Sequence, residues 1–143
     1  MGRILAIDYG QKRAGIAVTD PGQIIATGLA TVHVKDVMAF LKEYVKNEPV
    51  DCIVIGKPVD MRNQESDATR FIEPFVNTLK KHFPEIKIDR ADERFTSKMA
   101  FRTMADSGLG KKARQNKALV DTISATIILQ SYLELQQNLS KNI

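Results

Sequence analysis

Four acidic residues stand where chemistry could be done. Asp8 closes the apolar run Arg3–Asp8 just before a glycine turn, Asp92 and Glu93 close a later strand-like segment, and Asp121 lies beside Val120 and Ile123 in an apolar stretch. A carboxylate in such surroundings is costly to bury without a partner or a metal. Several carboxylates brought together would raise at least one pKa unless cations intervene. Oxygen ligands without His or Cys suit Mg²⁺ or Mn²⁺. Two such ions about 3.5–4 Å apart can activate water and stabilise the leaving oxygen of a phosphodiester. Simpler roles remain open on the sequence: Asp8 as a turn cap, Glu93 paired with Arg94 or Arg90, and Asp121 on a polar helix flank.

The elements that must position these acids follow from periodicity. Arg3–Asp8 predicts a buried strand, Tyr9-Gly10-Gln11-Lys12 a turn, and Ala14–Thr19 a second strand. Asp20-Pro21-Gly22 is a turn signal, and Ile24–Val34 predicts a third strand broken near Gly28. Val37, Phe40, Leu41, Tyr44 and Val45 have helical spacing, with Asp36 as an acidic cap or first-turn residue. Asp51–Gly56 is a continuous apolar run, the mark of a strand covered on both faces. After a polar loop, Phe71, Ile72, Phe75, Val76 and Leu79 predict a second helix that Pro74 kinks or divides and that stops before Pro84. Residues 86–91 alternate as a strand, and residues 97–107 predict a third helix ended by Gly108-Leu109-Gly110. A last helix carries a stripe of Leu119, Val120, Ile123, Ile127 and Leu133. The order β-β-β-α-β-α-β-α-α predicts an α/β fold, a mixed five-stranded sheet flanked by helices. Residues 1–143 are expected to form one domain, since neither a repeat nor a linker interrupts them.

Composition narrows the class. The 143 residues are 43% apolar and 27% charged, ordinary for a soluble globular chain and unlike a disordered one. Cys52 sits beside Ile53, Val54 and Ile55 and reads as a buried hydrophobe; with only His33 and His82 besides, a Cys/His zinc site cannot form in a monomer. No run approaches the roughly 20 apolar residues of a membrane span, and no signal-peptide pattern is seen, so a cytoplasmic location is expected. The net charge is +4, but residues 90–117 hold eight basic residues against three acids, a net +5 that leaves the remainder at −1. Such a region suits a polyanionic partner or, more simply, a solvated helix face and loop.

Ile7-Asp8-Tyr9-Gly10, Lys12-Arg13-Ala14-Gly15-Ile16-Ala17-Val18, Val54-Ile55-Gly56-Lys57-Pro58, Asp92-Glu93-Arg94-Phe95-Thr96 and Val120-Asp121 with Ala125 together resemble the YqgF family, also called the RuvX or Holliday-junction-resolvase-like family. The resemblance spans about residues 3–133 in the family's motif order. Lys57 departs mildly from it, falling where a small or apolar residue is more usual. The resemblance implies a ribonuclease H-like fold and a metal-dependent endonuclease. Asp8, Glu93 and Asp121 would be the catalytic, metal-binding acids, with Asp92 a further candidate, and Mg²⁺ or Mn²⁺, two ions, the cofactor. Lys12, Arg13 and Arg94 would stand near the scissile phosphate. Lys111, Lys112, Arg114 and Lys117, in a loop over residues 108–117 without acids, would contact the backbone of the nucleic acid.

The family's implied roles are maturation of the 5′ end of precursor 16S ribosomal RNA and, alternatively, Holliday-junction resolution. RNA is favoured over DNA, with ribosomal precursor particles as a candidate partner, no membrane, and a monomer or weak dimer expected. No Trp and no aromatic-rich sheet face are present, so shape and backbone rather than bases would be read. Two rivals belong to other classes. A non-catalytic RNA- or ribosome-binding factor gains nothing from three carboxylates beside phosphate. A nucleotide-binding module of the actin and sugar-kinase type needs two such domains.

Overall fold

In the computed structural model, residues 2–10, 12–57, 69–92 and 117–141 are described. They form β1 (Arg3–Tyr9), β2 (Arg13–Thr19), β3 (Ala26–His33), α1 (Val37–Asn47), β4 (Val50–Lys57), α2 (Thr69–His82), β5 (Lys87–Asp92) and α3 (Lys117–Lys141). The sheet order is β3-β2-β1-β4-β5, antiparallel from β3 to β1 and parallel from β1 to β5. The mixed five-stranded sheet expected from the element order is thus the one observed. The predicted helix over 97–107 lies outside the described residues.

Burial explains the central position of β1. Ile4, Leu5, Ala6 and Ile7 are all buried, as are Cys52–Ile55 of β4, because helices cover both faces there. Leu5, Ile7, Ile53 and Ile55 face α1 and α2, packing with Val37, Leu41, Ile72, Phe75 and Leu79. Ile4, Ala6, Cys52 and Val54 face α3, packing with Ala125, Ile128, Leu129, Tyr132 and Leu133. Each fully buried Leu or Ile contributes about 1.5–3 kcal/mol, so the two faces dominate the stability of the sheet. Cys52 is buried as expected, and burial pushes its thiol pKa up. No helix among the described residues is long and apolar enough to cross a membrane.

Four expectations are corrected or narrowed. β3 is continuous: the disturbance near Gly28 is a bulge, in which Ile16 pairs with Ala30 and Ala17 with Gly28, leaving Leu29 as the extra residue. Gly28 instead allows close approach, because a Cβ there would lie 2.5 Å from Thr122 Cγ2. α2 runs unbroken through Pro74. Asp36 occupies the N-cap of α1, yet its side chain makes no capping hydrogen bond; its carbonyl accepts from the Phe40 N–H at 2.9 Å. Of the expected α3 stripe, Ile127 and Leu133 are buried and Ile123 is half-buried, but the sheet-facing cluster is centred on Ala125, Ile128 and Leu129, and the side chains of Leu119 and Val120 lie outside the described residues. Around residues 123–129 apolar side chains surround most of the helix, and periodicity alone cannot select the sheet-facing side.

The β2–β3 hairpin is organised by Asp20. Its carboxylate accepts from the backbone N–H groups of Ile24 and Ile25, each at 2.8 Å, and of Gly22 at 3.2 Å, while Gln23 adopts φ 59°. The Ile25 and Ile24 donors hold the Asp20 pKa below the usual carboxylate value. A lowered folded-state pKa gives stability that is present above the unfolded value and lost as pH falls through the folded one. The urea midpoint of wild type should therefore exceed that of Asp20→Asn at neutral pH, and the gap should close in acid. A gap independent of pH would refute this role.

Candidate active site

The parallel strands β1, β4 and β5 end at one edge of the sheet, so Asp8, Lys57 and Asp92 lie along it, with Lys57 opposite Asp92. The β1–β2 turn reaches the same edge, closed by the Gly10 N–H donating to the Arg13 carbonyl at 2.9 Å. A Cβ on Gly10 would meet that carbonyl oxygen at the same distance, which is why a glycine occupies this turn. The turn places exposed Lys12 and half-buried Arg13 beside the end of β1.

Side chains alternate along a strand, so Asp8 shares the face of Ile4 and Ala6, the one covered by α3. Its cross-strand partner is Gly15, and the Ile7–Ile55 pairing puts Gly56 next to it on the other side. The row through Asp8 runs Thr31, Gly15, Asp8, Gly56, Ala91. Half-buried Asp8 therefore rises from bare backbone on both flanks, where a bulky group can come close to its carboxylate. On the opposite face Tyr9 stacks on Phe75, with ring centroids 4.2 Å apart, and this anchors the end of β1 to α2.

α3 is fixed over the same row. The hydroxyls of Thr31 and Thr122 are hydrogen-bonded, and Thr122 and Thr126 pack over Gly28. Asp121 precedes Thr122 and lies one helical turn before buried Ala125. The backbone at Asp121 is thus held on Asp8's face of the sheet and at its level. Farther down the helix the Tyr132 hydroxyl donates to Asp89 Oδ2 at 2.9 Å and lies 3.8 Å from Cys52 Sγ, joining α3 to β4 and β5. Burial and the Asp89 bond push the Tyr132 pKa up.

The proposed site residues therefore divide. Asp8, Asp92, Lys12 and Arg13 come to one sheet edge, and Asp121 and Lys117 lie in the first turns of α3. Glu93, Arg94, Lys111, Lys112 and Arg114 lie outside the described residues. Among the described residues no three His, Cys, Asp or Glu side chains form a metal-holding group. Sequence reasoning missed His33, which faces Arg13 across β2–β3, and the Thr31–Thr122 bracket. No motif points to either, because both arise from strand register.

A central β1 in an antiparallel–parallel sheet, with an acid at its C-terminal end beneath the last helix, defines a ribonuclease H-like fold with a carboxylate at the sheet edge. Two solved structures share this fold: T. thermophilus RuvC in complex with Holliday junction substrate (TM-score 0.58, 13% identity, 96% of each chain) and the fowlpox virus Holliday junction resolvase (TM-score 0.55, 12% identity, 92% of this chain and 98% of that one). Residues 2–135 match the family model described as "RuvX: Holliday junction resolvase", and the chain belongs to that family. Proteins of Flavobacterium psychrophilum (60% identity over 133 residues, 93% of this chain and 97% of the relative) and Phocaeicola vulgatus (60% over 134 residues, 94% and 96%) both carry the name "Putative pre-16S rRNA nuclease".

Proposed function

We propose that this chain is a nuclease that hydrolyses phosphodiester bonds, acting in maturation of the 5′ end of precursor 16S ribosomal RNA. The observation that carries this is Asp8: a half-buried carboxylate ending the central strand beneath α3, flanked by glycines and beside Lys12 and Arg13. The relatives named for pre-16S rRNA, identical at 60% of positions over nearly the whole chain, supply the substrate class.

Asp8, Glu93 and Asp121 form the acidic centre in this proposal, with Asp92 a further ligand. An all-oxygen set on three separate elements fits Mg²⁺ or Mn²⁺. When bound, such ions lower the pKa of water and offset charge on the leaving oxygen. Asp8 orients the centre from the rigid strand end, and the bare backbone at Gly15 and Gly56 lets the phosphate approach it. Lys12, Arg13 and Arg94 hold and neutralise the scissile phosphate. Lys111, Lys112, Arg114 and Lys117 contact the flanking backbone, which sets register without reading sequence. The chain works in the cytoplasm, where precursor particles are processed.

Holliday-junction resolution is a second reading, favoured by the family description and by the shared fold. Cleavage of a precursor 16S 5′-leader RNA and a four-way DNA junction, side by side with Mg²⁺, Mn²⁺ or EDTA, separates the two. Metal-dependent cut at the mature 5′ end is the expected result. Paired symmetric nicks in the junction would favour the resolvase, which needs a dimer. Binding without cleavage of either would favour a non-catalytic ribosome factor.

A further inference from the structure

The edge that carries Asp8 continues across β2 and β3 to a turn whose residues have no role in the activity above. Strand alternation puts Arg13 and Gly15 on the α3 face, and His33, paired with Arg13, and Thr31, paired with Gly15, stand on that face too. His33 is exposed. From Asp8 it is two strands over and two residues toward the edge, on the order of 12 Å at the usual strand spacing and rise.

The turn is built rather than loose. The Val34 N–H donates to the Lys12 carbonyl at 3.0 Å, tying the turn to the β1–β2 hairpin, and the Asp36 N–H donates to the His33 carbonyl at 2.8 Å. The Lys35 N–H donates to His33 Nδ1 at 3.1 Å. With Nδ1 accepting, a neutral His33 ring carries its proton on Nε2 and offers it outward as a donor. Lys35 is exposed beside it, as is Lys12, and neither has an ion-pair partner among the described residues. Asp36 is the only acid of the turn.

We propose that a phosphodiester strand engaged at Asp8 runs out over β2 and β3 and is gripped at a neighbouring phosphate by His33 Nε2 and the Lys35 ammonium. This rests on the nuclease reading and adds a binding subsite to it. The two residues act differently. Lys35 neutralises a phosphate and releases counterions, while His33 contributes a directional hydrogen bond from Nε2.

The test is equilibrium binding of the full chain to the 5′-leader RNA, in EDTA to prevent cleavage, over a series of salt concentrations. Lys35→Ala and Lys35→Gln should each reduce the slope of log affinity against log salt by about 0.7, the value for one phosphate of a single strand. His33→Ala should weaken binding about three- to tenfold. His33→Gln, which keeps an N–H near the Nε2 position, should recover most of that loss. Thermal melting should not move in the Lys35 variants and should move little in the His33 variants, where one exposed N–H loses its Nδ1 acceptor to water. Wild-type affinity and slope in the His33 and Lys35 variants would overturn the subsite and leave the nuclease reading intact. Failure of wild type itself to bind RNA would overturn both.

Discussion

Replacing Asp8 with Asn should lower cleavage by about a hundred- to a thousandfold, the scale of losing a preorganised electrostatic group at a reacting phosphate. Asn keeps the size and shape of Asp, so the strand pairing with Gly15 and the neighbouring core should survive. The melting temperature should stay within a few degrees of wild type. Nucleic-acid binding without metal should hold or tighten, because a negative charge beside phosphate is gone. Loss of turnover with retained fold and binding is the signature of a group that acts on the reacting centre. Activity within tenfold of wild type would remove Asp8 from it, and parallel loss of binding and melting temperature would make its role structural.

Gly28 should govern how closely α3 approaches the sheet. A Cβ there would lie 2.5 Å from Thr122 Cγ2 and 3.3 Å from Thr126 Oγ1, so Gly28→Ala must push the start of α3 outward. Overpacking of this kind costs about 1–3 kcal/mol. Because Asp121 precedes Thr122, activity should fall further than the loss of folded protein explains. The double variant Gly28→Ala, Thr122→Ser is the decisive measurement. Serine deletes the clashing methyl and keeps the hydroxyl that meets Thr31, so both stability and cleavage should recover in large part. Additive losses in the double variant would show that the approach of α3 is not set at Gly28.

The sheet was legible in the sequence because its strands carry unambiguous patterns. Ile4–Ile7 and Cys52–Ile55 are apolar without interruption and bounded by turn residues, as strands covered on both faces are. The sheet-facing side of α3 was not legible, since Ile123, Ile127, Ile128 and Leu129 satisfy helical spacing in more than one rotation. Tertiary packing selects among them through small residues, Gly28 below and Ala125 above. The continuity of β3 was missed for a similar reason. Gly28 reads locally as a breaker, whereas its role lies in a helix more than ninety residues away. Of the candidate site, residue types and their order along the chain were readable. The row that links Thr31, Gly15, Asp8, Gly56 and Ala91 was not, because it depends on register between strands distant in sequence.

α3 packs on one face of the sheet, chiefly over β1–β3, and follows every described strand. During synthesis, β1–β5 therefore emerge with Ile4, Ala6, Cys52 and Val54 still uncovered, and the proposed acidic centre still lacks Asp121. Closing the core and completing the centre are one event, the docking of the last helix. A growing chain would be harmless to the RNA around the ribosome that makes it, and a fragment cut before α3 would be both inert and prone to aggregate through its bare face.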